Sequence, residues 1–159
     1  LRRGELNRVY RILRKAYAER PFSGEGAYRF GARWSRVGTR IAYTAEHLSL
    51  AMVEYFVHLE VGDPPTDLVV AAADVPESVS RTAVSTDELP ADWRAMPALP
   101  RLAAIGDRFV SEAKYAVLLV PSAVVPVEFN WLLNPAHREF ERITLLPVES
   151  FAYDARFFK

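Results

Sequence analysis

Short apolar runs alternate along this chain with stretches whose apolar residues recur at helical spacing. Four runs predict strands, and the first two are apolar enough for a strand buried on both faces: residues 68–73, 115–120, 41–44 and 142–146. A weaker run at residues 124–127 fits a short strand. Residues 9–13 fit either a strand or the start of a helix.

The clearest helix is predicted after residue 44 and runs to about residue 61. Thr44 is placed to cap it, with Glu46 in the first turn, where a carboxylate is favourable. Its apolar residues form one buried stripe: Leu48, Ala51, Met52, Tyr55, Phe56 and Leu59. The Gly-Asp-Pro-Pro sequence at residues 62–65 ends this helix.

A second helix is predicted over residues 101–113, and residues 134–135, Asn-Pro, predict a turn. Residues 75–100 are rich in Pro, Ser, Thr and Asp, which predicts little regular structure. Within that segment, residues 85–100 are the strongest candidate for disorder, with Trp93 as an anchor. Few helices and several short strands indicate an α+β domain.

Length and composition limit the classes of function. A chain of 159 residues favours one domain, which we place over residues 1–159. Its 20 Lys and Arg balance 20 Asp and Glu, which argues against nucleic acid as the main partner. The absence of cysteine excludes disulfides and thiolate chemistry. No apolar run could span a bilayer and no signal peptide is visible, so we expect a cytoplasmic protein.

The candidate chemistry centres on a carboxylate and two guanidinium groups. Glu54 lies beside the buried stripe of its helix, so it must find either an arginine partner or a ligand. Arg33 lies between Gly31 and Gly38, where its fork of donors could bind a phosphate or carboxylate or form a salt bridge in a tight turn. Arg11 is a second candidate cation, whose side chain in a strand would point away from its neighbours.

Three further positions have both structural and functional interpretations. Tyr43 could stack on a planar heterocycle or lie in the core. Ser122 follows a buried strand and could donate a hydrogen bond, although no nucleophile elbow surrounds it. Asn134 precedes a proline and could satisfy the backbone of a turn. The three histidines fit no zinc spacing, and we therefore predict no metal site.

Taken together, these features resemble the RES-domain family, the toxins of RES–Xre toxin–antitoxin modules. The family is named for an arginine, a glutamate and a serine, and the matching residues are Arg11, Glu54 and Ser122. Its Asn-x-Leu-x-Asn-Pro-x-His region resembles residues 130–137.

The stretch between the arginine and the glutamate also carries the resemblance. The family has a Gly-Arg-Trp-Asn-x-x-Gly segment followed by a tyrosine, and here residues 31–38 precede Tyr43. Ser35 stands where the family often has asparagine. The resemblance covers roughly residues 9–147.

The resemblance implies an ADP-ribosyltransferase-like fold, with a mixed sheet core and flanking helices, that binds NAD as a co-substrate. It implies a toxin that cleaves the nicotinamide–ribose bond and transfers ADP-ribose to a protein target, water or phosphate. The implied partner is an Xre-type antitoxin with a helix-turn-helix domain. From the balanced charge and the lack of a long apolar run, we expect no direct nucleic-acid or membrane binding. By this resemblance the catalytic residues are Glu54 and Arg11, and the NAD-binding residues are Arg33, Tyr43, Ser122 and Asn134.

The residue chemistry is compatible with that activity. Cleavage of the nicotinamide–ribose bond passes through a transition state of oxocarbenium character, which a nearby carboxylate stabilises. The alternative is a non-catalytic protein-binding module, suggested by a dense aromatic tail: Phe151, Tyr153, Phe157 and Phe158. A nuclease-type toxin is disfavoured by the zero net charge and the lack of a metal-ligand cluster.

Overall fold

The computed structural model describes residues 6–60 and 62–159, whose strands form one mixed sheet. The strands are β1 (Leu6–Arg14), β2 (Ala42–Ala45), β3 (Leu68–Pro76), β4 (Arg81–Ala83), β5 (Val117–Pro121), β6 (Phe129–Leu133), β7 (Thr144–Leu145) and β8 (Glu149–Phe151). Their order is β4-β5-β6-β2-β1-β3-β7, and β8 also pairs with β3. The β4–β5 pair is parallel and the other pairs are antiparallel.

Three α-helices flank this sheet in the described residues: α1 (Glu25–Phe30), α2 (Leu48–Phe56) and α3 (Pro100–Glu112). Short 3-10 helices lie at Lys15–Tyr17, Thr86–Glu88, Arg138–Arg142 and Ala155–Phe158. The α+β class predicted from the sequence is therefore confirmed. No helix within these residues is both long enough and apolar enough to cross a bilayer.

The buried strands and the second helix were correctly predicted. The apolar runs at residues 68–73 and 115–120 lie in or overlap β3 and β5, and residues 101–113 correspond to α3. The ambiguous run at residues 9–13 is part of a strand, β1. The strand predicted over residues 142–146 is shortened to the two-residue β7. Residues 124–127 form bends and turns, so the short strand predicted for them is wrong.

The capping prediction for the glutamate helix is wrong. Thr44 stays in β2, where its Oγ1 donates to the Trp131 carbonyl at 2.7 Å. Helix α2 instead begins at Leu48 and ends at Phe56. Glu46 precedes this helix and accepts from the Phe129 backbone N–H at 3.0 Å, so it connects the end of β2 to β6 rather than lying in the first helical turn. Pairing between β2 and β6 therefore occupies Thr44 and Glu46, which local propensity had assigned to the start of the helix.

The segment expected to be disordered follows a defined path. Residues 85–100 form turns and one short 3-10 helix, and they are held by Trp93, whose ring lies 6.4 Å from that of Trp34. Both rings are buried, so the prediction of Trp93 as an anchor is confirmed. The expected scarcity of regular structure holds, apart from β4.

Helices α2 and α3 pack on the same face of the sheet. Leu132 joins the apolar cluster with α3, and Ala45 joins the cluster with α2. The pairing of β2 with β6 places these two side chains on one face, because Tyr43 pairs with Leu132 and precedes Ala45 by two residues.

The sheet is nearly interrupted between β1 and β2. These strands pair only at Tyr10 and Ala45, whereas β1 and β3 pair along nine positions. The remaining length of the β1 edge facing β2 is left open. Three consecutive β1 residues, Tyr10, Arg11 and Ile12, line one space together with residues of α2.

Helix α3 supports the loop between the two glycines. The Cα of Gly106 lies against the Trp34 backbone so closely that a Cβ at position 106 would be 1.7 Å from the Trp34 carbonyl oxygen. The next residue, Asp107, accepts from the Arg36 backbone N–H and from the Thr39 hydroxyl. The loop is therefore fixed to α3 at adjacent positions.

Candidate active site

A cavity of about 840 Å³ opens on the face that carries α2. Its size lies within the range of roughly 300–1,000 Å³ typical of small-molecule sites. Four of the six predicted site residues line it: Arg11, Arg33, Tyr43 and Glu54. The structure thus brings together residues that are distant in sequence.

Both carboxylate oxygens of Glu54 accept hydrogen bonds from uncharged side chains. Oε1 accepts from Asn130 Nδ2 at 2.5 Å, and Oε2 accepts from the Ser122 hydroxyl at 3.3 Å. No ion pair to Glu54 is found among residues 6–60 and 62–159, so the arginine partner considered from the sequence is not what holds it.

Ser122 has its hydroxyl proton available only for Glu54. Its Oγ accepts from the backbone N–H groups of Val124 at 3.2 Å and Val125 at 3.1 Å. A hydroxyl oxygen has two acceptor lone pairs, so its proton is left to donate to the carboxylate. Ser122 is fully buried beneath the cavity and touches Glu54, without lining the cavity itself.

Burial in the cavity wall raises the pKa of Glu54 above the ordinary value of a glutamate. The hydrogen bonds from Asn130 and Ser122 oppose this rise because they favour the ionised form, and nearby Glu128 adds to it. Glu54 is therefore a fixed acceptor that is held without a neutralising cation. Such a carboxylate can stabilise positive charge that develops on a bound ligand.

Arg11 reaches the cavity through the opening between β1 and β2. Its Nη1 is 3.4 Å from the Tyr43 carbonyl, and its Nε is buried without a hydrogen-bond partner in the described residues. Three consecutive β1 residues, Tyr10, Arg11 and Ile12, line the cavity although their side chains alternate in direction. Burial lowers the pKa of Arg11, but a guanidinium stays charged at neutral pH.

The Tyr43 ring lies in the cavity wall, and its hydroxyl is 2.7 Å from the Ser35 Oγ. Burial raises the pKa of Tyr43, so the phenol stays protonated at neutral pH. Ser35, the residue that departs from the family's usual asparagine, is thus a hydrogen-bond partner of Tyr43.

Arg33 lines the cavity but uses its donors on a neighbouring segment. Its Nη1 donates to the carbonyls of Trp93 and Ala95, each at 3.0 Å, and its Nη2 is 2.9 Å from the Met96 Sδ. None of these partners is a carboxylate, so the salt bridge considered from the sequence is not formed. Arg33 instead joins the glycine-flanked loop to residues 93–96.

Asn134 is not brought to the cavity. Its side chain is buried in the turn, where Oδ1 accepts from the Ala136 backbone N–H at 3.0 Å. Asn130, four residues earlier, supplies the amide at the cavity instead. The motif at residues 130–137 contained the signal, but the sequence did not reveal which asparagine faces the cavity.

One group of possible metal ligands exists in the described residues, at Glu46, His47 and Glu128, whose ligand atoms lie within 4.8 Å of one another. Glu46 already accepts from the Phe129 backbone N–H, and His47 is exposed. The pairing of β2 with β6 accounts for their proximity.

The charges lining the cavity are unbalanced. Three guanidinium groups, those of Arg11, Arg33 and Arg94, face one carboxylate, that of Glu54. None of the three forms an ion pair within residues 6–60 and 62–159. The cavity therefore suits an anionic ligand that presents a site of positive charge near Glu54.

Comparisons with known proteins identify the family and several relatives of this chain. The family model described as RES domain matches residues 8–154. "Toxin Res" of Photorhabdus laumondii is 34% identical over 152 residues, which cover 95% of this chain and 97% of that protein. "Prs ADP-ribosylating toxin" of a Sphingobium species is 36% identical over 144 residues, which cover 89% of each.

The fold is also found in a solved structure, the M. tuberculosis MbcT–MbcA toxin–antitoxin complex. The match has a TM-score of 0.69 and covers 94% of this chain and 86% of that one, at 18% sequence identity. At this identity the likeness concerns the fold.

Proposed function

This chain belongs to the RES domain family, as its sequence motifs indicated, and on that premise we propose that it is a toxin that consumes NAD. In this proposal it cleaves the nicotinamide–ribose bond and transfers ADP-ribose to an acceptor. The observation that carries the proposal is the position of Glu54, a carboxylate held by neutral donors in a cavity whose guanidinium groups form no ion pair in the part of the chain that the structure describes.

The residues fit this co-substrate on the chemistry of their donors. The two phosphates of NAD each carry a negative charge, which matches the cationic excess of the cavity. The buried Nε of Arg11 has no hydrogen-bond partner among the described residues. The nicotinamide ring is cationic and planar, so the ring of Tyr43 can stack on it.

Bond cleavage places positive charge on the ribose next to the carboxylate. The electron pair of the C–N bond leaves with nicotinamide, which becomes neutral, and the acceptor's lone pair forms the new bond to the same carbon while the acceptor loses a proton. Glu54 stabilises the developing charge, and because Asn130 and Ser122 hold both of its oxygens, the group needs little reorganisation.

We place Arg11 next to Glu54 as the cation that orients the ribose. Its Nε has no hydrogen-bond partner within residues 6–60 and 62–159, and its Nη1 makes only a long contact with the Tyr43 carbonyl, so its donors are left for a ligand. The contact that Ser122 makes to Glu54 gives this serine a role through the carboxylate. Asn130 takes the amide role that the sequence assigned to Asn134.

A protein is our proposed acceptor of ADP-ribose, ahead of water and phosphate. The support is the Sphingobium relative, which is named for ADP-ribosylation of Prs and is 36% identical. We further propose an antitoxin partner of the Xre type, since the structural neighbour was solved as a toxin–antitoxin complex.

The aromatic tail that suggested a binding module packs on this domain instead. The ring of Phe56 in α2 lies 5.4–6.0 Å from those of Tyr153, Phe157 and Phe158. The Tyr153 hydroxyl donates to the Met52 carbonyl at 2.6 Å. The tail is thus accounted for by contacts with α2, and it no longer favours the alternative.

The proposal is tested by incubating the purified chain with NAD, alone and with a cell extract. We expect nicotinamide release and, with extract, a protein whose mass increases by one ADP-ribose. Free ADP-ribose without a modified protein would identify water as the acceptor, and a phosphorylated product would identify phosphate. Absence of nicotinamide under all these conditions would refute NAD consumption.

A further inference from the structure

We propose that Arg94 contacts the diphosphate of the co-substrate and that Arg33 is a positioning residue that holds the backbone on both sides of it. This assignment rests on the proposed use of NAD. It separates two arginines that line the same cavity by the partners that each already has.

Arg33 donates hydrogen bonds to the two backbone carbonyls that flank position 94. Its Nη1 donates to Trp93 O and Ala95 O, each at 3.0 Å. With Nη2 also in contact with the Met96 Sδ, both of its terminal nitrogens are engaged with residues 93–96. Arg33 thus has fewer donors to offer a ligand than the sequence suggested.

Arg94 is anchored at one nitrogen only. Its Nε donates to the Ala123 carbonyl at 2.8 Å, and its two terminal nitrogens make no hydrogen bond within residues 6–60 and 62–159. The preceding residue, Trp93, is buried against Trp34, which fixes the backbone from which Arg94 extends. A guanidinium held in this way presents its terminal donors without the entropic cost of ordering a free side chain.

The chemistry of those free donors selects the ligand group. The two terminal nitrogens of a guanidinium match two oxygens of a phosphate, and such charge-assisted bonds are among the stronger ones in proteins. Arg94 is exposed at the cavity, whereas Arg11 lies in the opening between strands beside Tyr43. This arrangement leaves Arg11 for the ribose and gives the diphosphate to Arg94.

The test compares Arg94→Gln with a matched control, Arg101→Gln, in the full chain. Arg101 carries the same charge and lies 3.6 Å from Asp92, close to the same segment, but does not line the cavity. ADP-ribose affinity is measured by calorimetry, and kcat and KM are measured by nicotinamide release. We expect Arg94→Gln to weaken ADP-ribose binding and raise KM on the order of tenfold, with kcat within about threefold, because the contact is present before and during the reaction.

Three results would overturn the assignment. One is ADP-ribose binding by Arg94→Gln that is within about twofold of the parent chain, and another is an equal loss in Arg101→Gln, which would indicate a general effect of charge. The third is a parent chain that neither binds ADP-ribose nor releases nicotinamide, and this result alone would also refute the proposed function.

The role of Arg33 is tested by combining it with Arg94. If Arg33 acts only by positioning residues 93–96, Arg33→Gln will weaken ADP-ribose binding in the parent chain and will add no further loss in the Arg94→Gln background. Losses that multiply in the double variant would show that Arg33 contacts the ligand directly, and the division of roles would be wrong.

Discussion

Glu54 and Glu139 are each held by two hydrogen bonds from uncharged donors, and their pKa values move in opposite directions. Glu54 in the cavity accepts from Asn130 and Ser122, and burial raises its pKa. Glu139, in the 3-10 helix Arg138–Arg142, accepts from the Ser80 backbone N–H at 2.8 Å and from the Ser80 hydroxyl at 3.0 Å, which lowers its pKa.

The difference lies in what surrounds each carboxylate. Arg142 and His137 stand near Glu139 and add to the effect of its donors, whereas Glu128 stands near Glu54 and adds to the effect of burial. Ionised Glu139 therefore stabilises the fold, whereas the ionised form of Glu54 is disfavoured in the folded state. A hydrogen-bonded carboxylate that remains unfavourable in the folded state is a candidate for function rather than for stability.

The sharpest test of this contrast is activity. Glu54→Gln should lower nicotinamide release on the order of a hundredfold, because the neutral amide cannot stabilise positive charge on the ribose. Glu139→Gln, measured by the same chromatographic assay at saturating NAD, should stay within about twofold. Comparable losses in both variants, with circular dichroism unchanged, would break the comparison.

The same two substitutions should affect the free energy of unfolding in the reverse order. Glu139→Gln should lower the free energy of unfolding by about 1.5 kcal/mol, since the part-buried N–H and hydroxyl of Ser80 lose a charged acceptor. Glu54→Gln should cost less, because it removes a charge that burial disfavours. Urea denaturation at pH 7 measures both, and a larger loss for Glu54→Gln would contradict the prediction.

The support of α2 by the C-terminal tail should have a smaller effect. Tyr153→Phe removes the hydrogen bond to the Met52 carbonyl and should cost about 1 kcal/mol of unfolding free energy. The ring contacts with Phe56 remain, so nicotinamide release should stay within about threefold. A hundredfold loss of activity in a folded variant would show that this hydrogen bond sets the position of Glu54.

The smallest effect should appear in the pH dependence of stability. Glu54 has a raised pKa when folded, so its contribution to stability falls as pH rises from the ordinary glutamate value through the raised one. Glu139 has a lowered pKa, so its contribution is present above the ordinary value and is lost as pH falls through the lowered one.

Urea titrations of the parent chain, Glu54→Gln and Glu139→Gln between pH 3 and pH 7 would separate these trends. As pH rises, the parent chain should lose stability relative to Glu54→Gln and gain stability relative to Glu139→Gln. Differences that change in the same direction for both variants would contradict the assigned shifts.

Much of the fold was predictable because long apolar runs leave few alternatives. The runs that became β3 and β5, and the helix predicted over residues 101–113 that became α3, are explained by burial of their own residues. The start of α2 was not predictable in this way, because Thr44 and Glu46 satisfy partners on β6 that are more than 80 positions away.

In the candidate site, too, contacts between residues distant in sequence could not be predicted. Glu54, Tyr43, Arg11 and Arg33 line the cavity as expected, but their roles in NAD consumption stay predictions. The choice of Asn130 over Asn134 depends on the register of β6 against β2, where Asn130 pairs with Ala45 on the α2 face. The sequence did not indicate that Arg94 lines the cavity. Its segment has no apolar periodicity, and the contacts of Trp93 and Arg33 set its position.

The missing side chain at position 106 makes α3 a fixed floor for the loop above it. Any other residue there would displace the Trp34 carbonyl, and the preceding residue, Arg33, would move away from its partners in residues 93–96. Helix α3 does not line the cavity, yet it fixes the position of Arg33 and Trp34, which do. Two arginines far apart in sequence keep their spacing because a single hydrogen atom occupies that gap.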